Sequence, residues 1–174
     1  PSVTGSFNQT VALGYNDGAQ VQSSTRDLQG TGATPASITI SNGPTYSFGT
    51  VANGSSTDVS LTLTNGGGVS ATSMSGSGLS APYTFKGGSY PGTAGTCGAT
   101  LAAGANCTIV VNYNPSTIAT HNATVSVGYT DGLNAQSATR ALTGIAVAPA
   151  SLTNSDGPTY AFGTLATGAS AQKT

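Results

Sequence analysis

Pro44-Thr-Tyr-Ser-Phe-Gly-Thr50 returns 114 positions later as Pro158-Thr-Tyr-Ala-Phe-Gly-Thr164. At the same offset Gly14-Tyr-Asn-Asp-Gly18 returns as Gly128-Tyr-Thr-Asp-Gly132, and Leu28-Gln-Gly30 as Leu142-Thr-Gly144. Residues 1–60 align with 115–174 without a gap, with 30 identities in 60. A period of this length is a domain, not a solenoid turn. The repeat therefore divides the chain into the C-terminal part of one unit (1–35), one complete unit (36–149) and the N-terminal part of the next (150–174). The two partial units together lack the counterpart of residues 61–114, so head to tail they cannot make a second complete unit. The expectation is an excerpt of a longer tandem array. The first residue, Pro1, points to a processed or excerpted chain, so the missing signal peptide carries no information about secretion.

Within the complete unit no window has a convincing 3.6-residue apolar period. Alternation of period two is common and indicates strands. Ser37–Ser41 alternates and is bounded by Asn42-Gly43-Pro44, and Thr45–Phe48 continues as a second extended piece. Val59–Thr64 places Val59, Leu61 and Leu63 on one face and ends in the breaker Asn65-Gly-Gly-Gly68. Ala71–Met74 is a weak strand, and Tyr83–Phe85 is a short one before the glycine-rich loop Gly87–Gly95. Cys107–Tyr113 is the most apolar and is expected to be central. Ala123–Tyr129 and Gln136–Leu142 form a hairpin across Thr130-Asp-Gly132, and Thr10–Tyr15 with Gln22–Leu28 repeats it. Short strands with a turn signal every ten residues or so predict an all-β, immunoglobulin-like antiparallel sandwich, in tandem. Gly30–Pro35 and Gly144–Pro149 read as short, proline-terminated linkers that space the units semi-rigidly.

Only nine residues are charged, four basic and five acidic, with no glutamate and no tryptophan. Typical domains carry about a quarter charged residues, so solubility here rests on Ser, Thr, Asn, Gln and Gly, a composition more familiar in exported fibrous proteins than in cytosolic enzymes. A net charge of −1 leaves no electrostatic footprint for nucleic acid and no basic face for anionic lipid. The apolar runs are too short for membrane insertion in this segment.

Both cysteines, Cys97 and Cys107, flank a turn-rich stretch with two glycines that can fold back and bring the sulfurs together. A close pair suits an oxidising compartment. Two free thiols are the rival reading. A zinc site fits the spacing and the single histidine, His121, poorly.

Four segments carry a family resemblance: Phe48–Ser56, Leu61–Gly68 (Leu-Thr-Leu-Thr-Asn-Gly-Gly-Gly), Cys97–Pro115 (Cys-x3-Leu-x2-Gly-x2-Cys-Thr-Ile-x-Val-x-Tyr-x-Pro) and the closing Leu142-Thr-Gly144. Together they resemble the bacterial choice-of-anchor D repeats, which are similar to Hydin-type (ASH) immunoglobulin-like domains. The resemblance implies an immunoglobulin-like sandwich in large exported surface proteins and a bridge between the two cysteines. It supplies no catalytic residues and no cofactor.

Catalytic, cofactor and metal sites are all read as none. Asp17 and Asp131 give one carboxylate per turn where calcium takes six to eight oxygens, so they read as hairpin turns. An isopeptide bond at Lys86 would need an amide or acid acceptor beside a buried acid, and Asp131 is expected in an exposed turn. Arg26 and Arg140, at equivalent positions, are placed on a solvent face or against a neighbouring acid, with an inter-unit role as the other reading. Lys86 and Tyr90 mark a possible contact loop for glycan or protein. Tyr83 and Phe85 are assigned to packing. Sequons stand at Asn8, Asn53, Asn106 and Asn122. The expectation is a structural repeat of an extracellular stalk, fibre or surface filament, partnered by neighbouring copies of the repeat. The alternative is an adhesin that recognises a glycan or cell-surface protein.

Overall fold

The structure is a computed structural model, described here for residues 1–173, and its elements are all strands: β1 (Gly5–Asn16), β2 (Val21–Gly32), β3 (Ile38–Ile40), β4 (Thr45–Ala52), β5 (Thr57–Asn65), β6 (Thr72–Ser77), β7 (Tyr83–Phe85), β8 (Asn106–Tyr113), β9 (Thr120–Thr130) and β10 (Ala135–Val147). Among the described residues no helix is long and apolar enough to cross a membrane. Two four-stranded sheets, ordered β4-β10-β9-β6 and β3-β5-β8-β7, face each other. The hairpin β1-β2 is a separate two-stranded sheet.

Alternation builds the core. Val59, Leu61 and Leu63 of β5 and Cys107, Ile109, Val111 and Tyr113 of β8 point inward from one sheet. Val125, Val127 and Tyr129 of β9, with Ala138 and Leu142 of β10, meet them from the other. Every buried hydrophobic residue lies between Ala36 and Ala146, so the core of the immunoglobulin-like sandwich falls within 36–149. As expected from its run of apolar residues, β8 is an inner strand of its sheet. Tyr83 and Tyr113 stack at 4.7 Å, and Phe48 packs on both.

Four expectations are corrected. The chain holds one sandwich, preceded by a separate hairpin and followed, among the described residues, by a segment without strands, not a row of sandwiches. The pairing is not wholly antiparallel, because β4 runs parallel to β10 from Thr45↔Ala141 to Ala52↔Val147. That pairing carries β10 past Gly144 through an irregularity, so Ile145–Val147 is strand rather than linker, and β2 likewise runs on to Gly32. Gly144 is tolerated there because Tyr113 lies where a side chain would go. Asp131 is buried, since Ala36 N–H donates to its carbonyl at 2.9 Å and draws the entering chain across it.

The remaining linker, Ala33–Ser37, is bound to the sandwich. Gly68 N–H donates to Thr34 O at 3.1 Å, Gly66 N–H to Ser37 O at 2.8 Å, and Ser37 N–H to Asn65 Oδ1 at 3.1 Å. Gly67 leaves room for Pro35, whose carbonyl a Cβ would strike, and Gly68 lies close against Thr34.

Candidate functional site

The contact loop is the first candidate. The segment after β7 continues along the edge of β8: Lys86 N–H donates to Val110 O at 2.9 Å, Val110 N–H to Pro91 O at 2.8 Å, and Thr96 N–H to Thr108 O at 2.9 Å. The disulfide Cys97–Cys107 closes it. The loop thus covers an edge that would otherwise be open to strand addition. Tyr90 packs edge-on against Phe85 at 5.8 Å, and its hydroxyl donates to Gly98 O at 3.3 Å. Burial raises the Tyr90 pKa above its ordinary value.

Lys86 pairs with Asp58 at 2.8 Å, and Asn112 Nδ2 donates to the other carboxylate oxygen at 2.7 Å. Lys86, then Asn112, hold the Asp58 carboxyl below its ordinary value. An amine, an acid and a carboxamide therefore meet, the set an isopeptide bond needs, but the Lys86 and Asp58 side chains are 44% and 34% exposed and not buried.

The two aspartate turns are nearly superimposable in their bonding. Asp131 Oδ1 accepts from Leu133 and Asn134 N–H at 2.8 and 2.7 Å, and Oδ2 from Gln136 Nε2 at 2.9 Å. Asp17 accepts from Ala19, Gln20 and Gln22 at 2.8, 2.7 and 2.9 Å. These bonds, led by Asn134 N–H in one turn and Gln20 N–H in the other, lower both carboxyl pKa values. Both carboxylates are committed to their own turns.

Arg140 departs from its expected place. It is half-buried and pairs with no acid: Nη1 donates to Pro44 O at 3.0 Å, and Nη2 bonds Ile40 O. It straps the β3–β4 turn to β10, and its guanidinium lies in the space that a side chain at Gly43 would enter. Arg26, its counterpart, is exposed. Sequence patterning left the strap unidentified, although Gly43-Pro44 and Gly157-Pro158 recur with the two arginines. His121 bridges Tyr113 Oη at 2.9 Å and Thr117 Oγ1 at 3.1 Å. Of the sequon residues, Asn8, Asn106 and Asn122 are exposed and Asn53 is half-buried.

The largest unsatisfied surfaces lie outside the sandwich. Val125, Val127 and Leu142 are 0–1% exposed, whereas their counterparts Val11, Leu13 and Leu28 are 49–68% exposed. The hairpin β1-β2 keeps the full β9-β10 register, from Gly5↔Gly32 to Asn16↔Val21, with both edges unpaired. Residues 150–173 contain no strand, and Leu152, Tyr160, Phe162 and Leu165 are exposed.

No family profile and no curated protein matches this chain. Solved structures do. A Vibrio cholerae protease, VesB, is similar at a TM-score of 0.50 and 16% identity, over 64% of this chain and 32% of that one. The ASH/PapD-like domain 7 of human CEP192 gives 0.46 and 17%, over 68% and 89%. A Porphyromonas gingivalis protein of unknown function gives 0.47 and 11%, over 80% and 66%. This chain thus spans about a third of the VesB chain. Likeness at such identities is likeness of fold.

Proposed function

We propose that this chain is a structural repeat of an extracellular bacterial fibre, stalk or surface filament, related to the choice-of-anchor D repeats. The carrying observation is the distribution of unsatisfied surface. The sandwich 36–149 buries its own core, while the same sequence, where it recurs at 1–35 and 150–173, leaves its core positions open. Sequence that is core in one context and exposed in another is sequence meant to meet more of its own kind. The disulfide and the near absence of charge suit life outside the cell. Few Lys and Arg leave little for trypsin-like proteases to cut. The side chains that an adhesin reading would use, Lys86 and Tyr90, are engaged with the module itself.

Immunogold labelling of source cells with antibody against residues 36–149 tests this. Label along fibres outside the envelope is the expected result, and label confined to the cell interior would refute it.

A further inference from the structure

We propose that Asn42 is a site of spontaneous modification, at which the side-chain carboxamide is lost as ammonia and the residue becomes an aspartate or isoaspartate beside Arg140. The inference is independent of the fibre reading and needs no partner molecule.

An asparagine followed by glycine can react with its own backbone, because no Cβ hinders the approach of the following amide. Three such pairs occur: Asn42-Gly43, Asn53-Gly54 and Asn65-Gly66. Two of them are shut. Gly54 N–H donates to Pro115 O at 2.9 Å and Gly66 N–H to Ser37 O at 2.8 Å, so neither nitrogen is free to attack. Asn65 is also fully buried, with both atoms of its carboxamide bonded. Asn42 differs on each count. It is exposed in the turn between β3 and β4, and among the described residues neither its carboxamide nor Gly43 N–H makes a hydrogen bond.

The step needs only water. Gly43 N gives up its proton to solvent and bonds to Asn42 Cγ. The Cγ–Nδ2 bond breaks, and ammonia leaves with a proton from solvent. Water then opens the five-membered imide. Attack at Cγ yields aspartate, and attack at the backbone carbonyl carbon yields isoaspartate, with the chain running through the side chain.

The fold places a cation where the slow part of this step occurs. The Arg140 guanidinium packs against Gly43, in the space that a side chain there would enter, and is held by Ile40 O and Pro44 O. A positive charge against Gly43 favours the deprotonated amide that attacks.

The product fits the same turn. Ser155-Asp156-Gly157-Pro158 repeats Ser41-Asn42-Gly43-Pro44, so the other copy of the sequence already carries the acid at this position. Asn42 has a φ of 62°, a left-handed conformation that aspartate tolerates as asparagine does. Arg140 meets only carbonyl oxygens, and its buried Nε has no partner among the described residues. A carboxylate at position 42 gives the guanidinium an acid one residue from its contact with Gly43. Each event also adds a negative charge to a chain with only four basic and five acidic residues, so old material differs from new in charge.

Peptide mapping by mass spectrometry tests the inference on the full chain, fresh and after long incubation in mildly alkaline buffer. The peptide holding Asn42 should become one mass unit heavier, while those holding Asn53 and Asn65 stay unchanged. Hydroxylamine, which cleaves the imide, should split the incubated chain between Asn42 and Gly43. Asn42→Asp should gain no mass and resist that cleavage. Arg140→Met should slow the gain about tenfold, and Arg140→Lys, which keeps the charge, should slow it less. An unchanged Asn42 peptide, or equal gain at Asn53 and Asn65, would overturn the site. Gain in Arg140→Met as fast as in the parent chain would overturn the part given to the guanidinium.

Discussion

Asn65 has no solvent exposure, and its carboxamide serves three segments at once. Oδ1 accepts from Ser37 and Gly67 N–H, and Nδ2 reaches the carbonyls of Val69, Leu101 and Ala102. Asn65→Ala should cost about 3 kcal/mol, because several buried groups lose their partner together. Urea denaturation of residues 36–149 measures it, and a loss under 1 kcal/mol would be too small for this role. Carboxylates set the acid limit. Asp58 and Asp131 both have lowered native values, so their contribution is complete above the ordinary carboxyl range near about pH 4 and is lost as pH falls through the native values. Thermal stability of 36–149 should be level from neutral pH to about pH 5 and fall below about pH 4, with a shallower fall in Asp131→Asn. At the alkaline end, burial and then the neighbouring Tyr113 push Tyr83 up to about 12. Stability that Tyr83 holds below its ordinary value is therefore lost as pH rises toward that point. Asn65 was visible beforehand only as the first residue of a glycine-rich breaker. Nothing in a local pattern shows that a carboxamide will bond backbone 36 positions away.

Among the elements, the disulfide and the β8 edge belong together. Cys97 and Cys107 close a short loop that lies along β8, where an open strand would invite pairing with another chain. Replacing both cysteines with alanine should lower stability by about 2–3 kcal/mol. It should also speed amide exchange across 87–101 while β5 and β9 stay protected. Uniform loss of protection across the sandwich would mean that the bridge supports the whole core and not this edge. Period-two alternation made β5, β8 and β9 legible, because each has one face in the core and hydrophobicity reports that directly. The parallel β4-β10 pair was not legible. Register between strands about ninety residues apart depends on tertiary packing, and Gly144-Ile-Ala-Val-Ala-Pro149 resembles a linker to any local measure. Arg140 was misplaced for the same reason, since its partners Ile40 and Pro44 arrive only when β4 docks.

For the whole molecule, the repeat was the most informative feature, and it reaches further than the fold. Val11, Leu13 and Leu28, exposed in the hairpin, recur as the buried Val125, Val127 and Leu142 of the sandwich. Direction follows too: entry at the Asp131 turn and exit after Val147 set every unit the same way round. The decisive measurement is cryo-electron microscopy of the native material with the sandwich 36–149 fitted into the density. Polar fibres are expected, with one sandwich per axial step and all units in the same orientation. Isolated sandwiches, or units alternating in direction along a fibre, would contradict a head-to-tail structural repeat.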